Sequence, residues 1–288
     1  RVSGASLGSQ TLNFVPGAAC AGEYTFAIGT AGSCTLVMQT LLPMLVGLAA
    51  PSRLTLRGGT HNPLAPPYPF LERAFLPLAA RMGVRIDSEL VRHGFYPAGG
   101  GDVRLAIAPV ERWQRLELLD RGAHIETRVE GLVAALPATI AEREVEAAGN
   151  ALGVPRTHRH VRELPRDQGP GNVLVVTIVH EHVTEVVTAF GEKGVAAETV
   201  AARAVAEARA FIAAPGAVGP HLADQLLLPM ALAGGGRFTT GDPTPHFTSN
   251  AAVIERFLPG VRIVVRDDAG YHSVQVESNP GQKISSGA

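Results

Sequence analysis

Apolar and polar positions alternate along this chain with two periods, which predicts a mixture of strands and helices. Short alternating runs predict strands in the first part of the chain at 10–16, 24–28, 53–57, 84–90, 103–108 and 116–119. Apolar positions spaced as on one face of a helix predict helices at 35–49 and 70–82. Pro43 lies inside the first of these and is expected to disturb its middle.

The middle of the chain has the pattern of a separate strand and helix unit. We predict strands at 125–133, 173–179 and 183–190, helices at 139–152 and 198–213, and a polar, basic loop at 156–172. Two proline–glycine pairs between 215 and 220 indicate a hinge. The domain organisation is therefore predicted as one domain at 1–123 and 215–288, with a smaller domain inserted at 124–214.

The last part of the chain continues the alternation. We predict helices at 223–233 and 251–257, strands at 238–240, 263–265 and 273–276, and a frayed end at 279–288. Because strands and helices alternate throughout, the fold class is α/β or α+β.

Composition narrows the class of protein. The chain has 288 residues, of which 46% are hydrophobic and 18% charged, and this suits one large domain or two smaller ones. A net charge of −1 means that local Arg and Lys must hold any polyanion. Cys20 and Cys34 are too few for a disulfide framework, so reduced thiols are expected. Since no apolar run reaches the ~18–20 residues of a membrane helix, we expect a cytoplasmic protein without a membrane partner.

Glycine-rich loops recur at 58–59, 99–101, 169–171 and 234–236. None of them fits the P-loop pattern or the dinucleotide-binding fingerprint. Each alone is typical of a tight turn, but together they favour backbone that approaches a phosphate-bearing ligand.

The strongest candidate for chemistry is His246, which is preceded by two prolines and followed by small polar residues. A neutral imidazole is a competent nucleophile toward phosphorus. The run 221–230 lies upstream and ends near three glycines, so the two segments together predict a nucleotide pocket beside a nucleophile. A lone histidine is more often an ordinary surface or core residue, and the prediction rests on the pair of segments.

Five segments together carry a resemblance: Ala27-Ile-Gly-Thr-Ala-Gly-Ser-Cys-Thr-Leu-Val37, Arg92-His-Gly-Phe-Tyr-Pro-Ala-Gly-Gly-Gly101, Leu164-Pro-Arg-Asp-Gln-Gly-Pro-Gly-Asn172, Leu222-Ala-Asp-Gln-Leu-Leu-Leu-Pro229 and His246-Phe-Thr-Ser-Asn250. They resemble motifs of the RNA 3′-terminal phosphate cyclase family, in the same order and over nearly the whole chain. The resemblance implies a large domain of repeated β/α units, like the C-terminal domain of a bacterial initiation factor, with a small thioredoxin-like insert.

The resemblance also implies that ATP and Mg²⁺ are used and that a covalent histidine–AMP forms on His246. It gives the nucleotide-binding residues as Gln39, Pro67, His221, Leu222, Ala223, Asp224 and Gln225. Many members of the family have Tyr where this chain has His221, and imidazole stacks on adenine over a smaller area. From the residues alone, Asp224 is expected to orient His246, to contact the ribose, or to cap a helix.

The implied substrate is RNA with a 3′-phosphate end, which becomes a 2′,3′-cyclic phosphate. Arg92 and Arg166 are candidates to hold that phosphate, with surface ion pairs as the alternative. The basic residues of 156–162 are expected either to guide RNA or to form a solvated loop. His180 and His182 fit a hairpin turn better than a metal site, so no protein-held metal is predicted. We expect a monomer or homodimer without an obligate protein partner.

The family's Asp-Gly-x-x-Gly-Glu-Gly-Gly-Gly segment is not found in residues 1–288, so the family's first repeat is expected to be incomplete in this sequence. Three further hypotheses stay open at this point: a non-catalytic RNA-binding factor of the cyclase-like branch, a transferase acting on small phosphorylated metabolites, and an inert fragment. The cyclase-like branch lacks the nucleophilic histidine, so the presence of His246 favours the cyclase proper.

Overall fold

The computed structural model describes residues 1–268 and 270–278, so the predicted frayed end at 279–288 lies outside the described residues. Two short strands, β1 (Val2–Ser3) and β2 (Asn13–Phe14), pair antiparallel near the start of the chain. Only two residues of the strand predicted at 10–16 therefore form a strand in β2.

The segment from residue 23 to residue 108 builds a four-stranded sheet. Its strands are β3 (Glu23–Ala27), β4 (Ser52–Gly58), β5 (Arg85–Arg92) and β6 (Gly101–Ala108), in the order β3-β4-β6-β5. β3 and β4 are parallel and are joined through α1 (Cys34–Leu45), whereas β6 is antiparallel to both of its neighbours. Pro43 lies inside α1 without ending it, so the helix continues past the predicted disturbance.

A single helical run between β4 and β5 confirms the helix predicted at 70–82. It consists of α2 (Tyr68–Phe70), a π-helical turn (Leu71–Phe75) and α3 (Leu76–Arg81). Pro77 has no N–H to donate to the carbonyl of Arg73, and its ring crowds that carbonyl, so a widened turn at this point suits the sequence.

A second sheet has the same connectivity as the first. Its strands are β7 (Leu116–Leu118), β12 (Gly235–Thr240), β13 (Val261–Asp268) and β14 (Tyr271–Ser278), in the order β13-β14-β12-β7. β7 and β12 are parallel, and β14 is antiparallel to both neighbours. The two helices are α6 (Pro220–Leu232), before β12, and α7 (Pro245–Phe257), after it. Each sheet thus follows the order strand, helix, strand, helix, strand, strand.

The two sheets are also related in sequence. Residues 36–44 read Leu-Val-Met-Gln-Thr-Leu-Leu-Pro-Met in α1, and residues 222–230 read Leu-Ala-Asp-Gln-Leu-Leu-Leu-Pro-Met in α6. Residues 83–86 and 260–263, at the start of β5 and of β13, both read Gly-Val-Arg-Ile. The chain therefore contains two copies of one β/α unit, as the resemblance implied.

The third sheet lies between β7 and α6 in the chain. It contains β8 (His124–Ala134), β9 (Arg159–Leu164), β10 (Gly171–His180) and β11 (Thr184–Phe190), in the order β11-β10-β8-β9. α4 (Ala138–Ala151) joins the parallel strands β8 and β9, and α5 (Ala197–Ala213) follows the hairpin of β10 and β11. A β-α-β unit followed by a hairpin and a helix is the order expected of a thioredoxin-like unit.

The prediction of a basic loop at 156–172 was wrong. Arg159–Leu164 forms β9, an edge strand paired in parallel with β8. Four residues of β9 are exposed, and charged side chains are common on edge strands because they discourage pairing with another chain. The charges that made this segment resemble a loop are typical of such an edge.

Buried apolar residues form two clusters. One face of the third sheet, including Leu132, Val173 and Val186, joins the core formed by the helices of the two repeats. The opposite face packs on α4 and α5 and forms the second cluster. The boundaries predicted at 124 and 214 stay predictions, because the third sheet shares its core with the rest of the chain. Among the described residues, no helix combines the length and apolar character needed to cross a bilayer.

Candidate functional site

His246 lies in the first turn of α7. The hydroxyl of Thr244 caps this helix by accepting a hydrogen bond from the N–H of Phe247 at 3.1 Å. Pro245 follows at the first helical position, where a missing N–H removes nothing from the helix. The predicted start near residue 251 was therefore six residues late, since the Thr-Pro signal for a helix start outweighs the polar composition of the first turn.

Asp224 lies one turn into α6 and faces His246. Its Oδ2 is 2.9 Å from Nδ1 of His246, and the two residues are 22 positions apart in the chain. The alternative of Asp224 as a helix cap was wrong, because Gly219 occupies the cap position of α6.

Asn250 fixes the other side of the Asp224 carboxylate. Its side-chain amide donates to Oδ1 of Asp224 at 2.8 Å and to the main-chain carbonyl of Asp224 at 3.1 Å. Asn250 and His246 are four residues apart in α7, which places both on one face of the helix. Sequence reasoning gave Asn250 no role, although this spacing within the His246 motif was a usable signal.

The contact with Asp224 decides which nitrogen of His246 is available. An ionised carboxylate only accepts hydrogen bonds, so Nδ1 of the neutral imidazole carries the proton and Nε2 carries the lone pair. Nε2 has no hydrogen-bond partner in the described part of the chain. The His246 side chain is 85% exposed and that of Asp224 only 15%, so a fixed carboxylate supports an accessible ring.

Gln39 of α1 and Gln225 of α6 meet beside this pair. Nε2 of Gln39 donates to Oε1 of Gln225, and the residues are 186 positions apart. They occupy the same position in the two copies of the helix motif. The repeat therefore brings together two predicted nucleotide-binding residues that are distant in sequence.

An open cavity of about 380 Å³ lies between the helices of the two repeats. Polar residues line one end, namely Gln39, Asp224, Gln225, His246, Ser249 and Asn250. The remaining wall is mainly apolar and includes Leu42, Val46, Phe75, Val84, Ile86, Trp113, Leu228 and Val253. A largely apolar wall with a few convergent polar groups is the usual character of a small-molecule site. Phe75 and Trp113 were not among the predicted site residues.

Four predicted nucleotide-binding residues do not line this cavity. Pro67 is buried at the cap of α2, and Leu222 and Ala223 are buried in the core. The His221 side chain is 72% exposed and lies 3.8 Å from Glu207. The roles of these four residues in nucleotide binding stay predictions.

Arg92 is engaged by the loop that contains Arg166. It donates to the side chain and the main-chain carbonyl of Asp167, and to the carbonyl of Gly100 at 2.9 Å. The hydrogen bond from Arg92 holds the pKa of the Asp167 carboxyl below its usual range. Arg166 is exposed on the same loop, and neither arginine lines the cavity beside His246.

Two stacked histidines, one from the 58–62 loop and one from the 92–101 loop, are buried side by side. The ring centres of His61 and His93 are 5.2 Å apart, and Nδ1 of His93 lies 3.0 Å from Oε1 of Gln168. Burial lowers the pKa of His61 to about 3 and that of His93 to about 4, so both rings are neutral at pH 7. This cluster joins the loops at 58–62, 92–101 and 164–172.

The described residues contain no group of three or more His, Cys, Asp or Glu side chains suited to hold a metal ion. His180 and His182 lie where β10 and β11 are connected, as the hairpin prediction stated. Both cysteines are free thiols, with Cys34 buried and Cys20 exposed.

A comparison of the chain with models of known protein families identifies its family. The family model described as RNA 3′-terminal phosphate cyclase matches residues 1–264. The match includes the repeat at 23–108, the third sheet, α6, His246 and the first half of β13. The chain belongs to the RNA 3′-terminal phosphate cyclase family.

Proposed function

We propose that this protein converts an RNA 3′-phosphate into a 2′,3′-cyclic phosphate and that it consumes ATP through a covalent AMP adduct on His246. Membership of the family supports chemistry at RNA 3′ ends in general. The observation that carries the finer proposal is the hydrogen bond of 2.9 Å between Nδ1 of His246 and Asp224, beside an apolar cavity.

In the first step, Nε2 of His246 attacks the α-phosphorus of ATP, and pyrophosphate leaves. The Nδ1 proton remains between His246 and Asp224, so the carboxylate stabilises the positive charge that develops on the ring. Asn250 keeps the carboxylate oriented through this change because it donates to Oδ1. The adduct is reactive, since a ring that shares its proton with a carboxylate leaves readily from phosphorus.

The cavity residues suit the nucleoside part of ATP. The apolar wall includes the aromatic side chains of Phe75 and Trp113, and the amides of Gln39, Gln225 and Asn250 offer donors and acceptors at the polar end. Asp224 is the single carboxylate among the lining residues and is already paired with His246. Mg²⁺ would therefore be held mainly by the phosphates and water, and its chemistry is to neutralise charge on the triphosphate.

In the second step, an oxygen of the RNA 3′-phosphate attacks the phosphorus of the histidine adduct, and Nε2 of His246 leaves. The adjacent 2′-hydroxyl then attacks the activated 3′-phosphorus, loses its proton and expels AMP. This closure is intramolecular, and proximity supplies much of the acceleration.

The test is transfer of label from α-³²P-labelled ATP with Mg²⁺ to the protein. We expect wild type and the control His182→Ala to acquire acid-labile label, and His246→Ala to acquire none. Labelled His246→Ala protein, or unlabelled wild type, would contradict the proposal. An RNA ending in a 3′-phosphate should then be cyclised, whereas the same RNA with a 2′-deoxy terminal sugar should accumulate the adenylylated end. RNA binding without any nucleotide dependence would instead support the non-catalytic factor.

A further inference from the structure

Helix α6 begins without a capping side chain of its own. Its cap residue is Gly219, followed by Pro220, and no side-chain hydrogen bond from the cap residue reaches the first turn. Ser, Thr, Asp or Asn at a cap position normally supplies this acceptor. The start of α6 matters for the site because Asp224 lies one turn further along the same helix.

Glu185 of β11 supplies an acceptor from the third sheet. Its carboxylate is buried, with 3% of the residue exposed, and Oε2 accepts a hydrogen bond from the N–H of Gly219 at 3.0 Å. In a capping box, a Glu three positions after the cap accepts from the N–H of the cap residue. Leu222 occupies that position in α6, so Glu185 performs the same function from a different element.

The Glu185 carboxylate occupies the space that a side chain at the cap would need. A Cβ added to Gly219 would lie 2.6 Å from Oε2 of Glu185, although the backbone angles of Gly219 are ordinary extended values. Any side chain at this position would therefore have to displace the carboxylate. An alanine there would displace the carboxylate without straining the backbone.

Several charged groups surround the Glu185 carboxyl. Burial raises its pKa to about 7, the Gly219 N–H and Arg121 lower the pKa, and Glu207 raises it. Arg121 itself donates to the carbonyl of Phe211 at 2.9 Å and to the carbonyls of Ala214 and Gly216. Arg121 thus holds the end of α5 and the hinge together from a partly buried position near Glu185.

We propose that Glu185 is a positioning residue through which the third sheet fixes the start of α6 and hence the Asp224–His246 pair. The importance of this for catalysis rests on the proposed function, whereas the effect on the pair itself does not. A shift at Gly219 moves the first turn of α6, and Asp224 lies at its end, so the 2.9 Å contact with His246 depends on the same anchor.

The test uses the whole chain with Glu185→Leu, Glu185→Gln and Gly219→Ala. The first removes the acceptor, the second keeps one without a charge, and the third displaces the carboxylate. Glu144→Leu is the matched control, because Glu144 is also a buried carboxyl of the third sheet's unit and accepts from Asn172 at 2.6 Å, away from α6. Three quantities are measured: exchange of the Gly219 amide hydrogen, the ¹⁵N shifts of the His246 ring, and the rate of labelling by ATP.

We expect Glu185→Leu and Gly219→Ala to accelerate exchange of the amide hydrogen of residue 219 about tenfold, as loss of one buried hydrogen bond implies. The His246 ¹⁵N shifts should move toward a mixture of tautomers. The labelling rate at saturating ATP should fall about tenfold, while the ATP concentration for half-maximal rate stays near the wild-type value. In Glu185→Gln, all three quantities should stay within about threefold of the wild-type values. In Glu144→Leu, they should stay near the wild-type values once the change in overall stability is taken into account.

The inference would be overturned if, in Gly219→Ala, the amide hydrogen of residue 219 exchanged at the wild-type rate and the His246 ¹⁵N shifts were unchanged. This outcome would count even if Glu185→Leu failed to fold. An equal effect of Glu144→Leu would also overturn it, because the cause would then be general loss of stability. The exchange and shift measurements need no ATP. A wild-type protein that takes no label would therefore contradict the proposed function. The positioning role of Glu185 would still be tested by the exchange and shift measurements.

Discussion

Gln39 and Gln225 occupy equivalent positions in two copies of one helix motif, and their side chains are hydrogen-bonded to each other in the wall of the cavity. Both are partly buried, and each side chain satisfies part of the other's hydrogen-bonding capacity. The contact joins α1 of the repeat at 23–108 to α6 of the other repeat. It places an amide pair among the polar residues that line the cavity together with His246.

This pairing predicts non-additive effects on stability. Gln39→Ala and Gln225→Ala should each lower the free energy of unfolding by about 1 kcal/mol, and the double variant should lose about the same as one single variant. Urea denaturation of the four proteins gives the interaction energy. Thr40→Ala, an exposed neighbour on α1, serves as the control. Additive losses would show that the two amides do not interact in solution.

Removing the charge of Asp224 should slow transfer of AMP to His246. Asp224→Asn keeps the shape of the side chain but can stabilise the wrong tautomer of the ring, so we expect a rate about 10²–10⁴-fold lower with little change in thermal stability. Single-turnover labelling with ATP measures the rate. Asp242→Asn, in the exposed segment before α7, should keep the wild-type rate. A wild-type rate in Asp224→Asn would contradict the assigned role.

The orientation of Asp224 should depend on Asn250. Asn250→Ala removes both hydrogen bonds to Asp224, and we expect the labelling rate to fall about tenfold. Asn250→Asp places a second carboxylate beside Asp224, so its rate should fall further than that of the alanine variant. The single-turnover assay ranks the three proteins. An Asp variant faster than the Ala variant would be inconsistent with the geometry.

Two kinds of buried group should give the stability opposite dependences on pH. His93 is neutral when buried because its pKa is lowered from 6.5 to about 4, so its contribution is present above pH 6.5 and is lost as pH falls toward 4. Burial raises the pKa of Glu144 from 4.5 to about 7, so its contribution is present below pH 4.5 and is lost as pH rises through 7.

Variants separate the two contributions. Between about pH 7.5 and 5, the free energy of unfolding of wild type relative to His93→Gln should fall by about 2 kcal/mol. Relative to Glu144→Gln it should rise by a similar amount, on the order of 2 kcal/mol. Urea denaturation at several pH values measures both differences. Slopes of the same sign would contradict the assignment of these pKa shifts to burial.

The packing of the 92–101 loop predicts a sharp difference between two glycines. A Cβ on Gly94 would lie 2.4 Å from the amide nitrogen of Gly101 and 2.4 Å from the carbonyl oxygen of Gly58, and neither backbone atom can move freely. Gly94→Ala should therefore destabilise the protein by about 3 kcal/mol or more. Gly17→Ala, where a Cβ meets nothing within 4 Å, should be nearly neutral. Thermal unfolding compares the two, and equal midpoints would contradict the packing.

The amino-acid sequence by itself determined most of the elements, because their apolar periods are local. The helices at α4 and α5 and the hairpin of β10 and β11 were predicted to within a few residues. The order of the five motifs along the chain also indicated the RNA 3′-terminal phosphate cyclase family, which the match to the family model confirms. The repeat of Leu-x-x-Gln-x-Leu-Leu-Pro-Met in α1 and α6 was present in the sequence but was not used.

Other features depended on contacts between distant segments. The edge strand β9 was missed because its pairing with β8 cannot be inferred from its charged composition. Pairing of Asp224 with His246, of Gln39 with Gln225, and of Glu185 with Gly219 joins residues that lie 22, 186 and 34 positions apart. Local patterns set which segments become helices or strands. Which side chains meet is decided by how the two repeats and the third sheet pack, since burial of their apolar faces fixes the relative positions of the helices that carry the site.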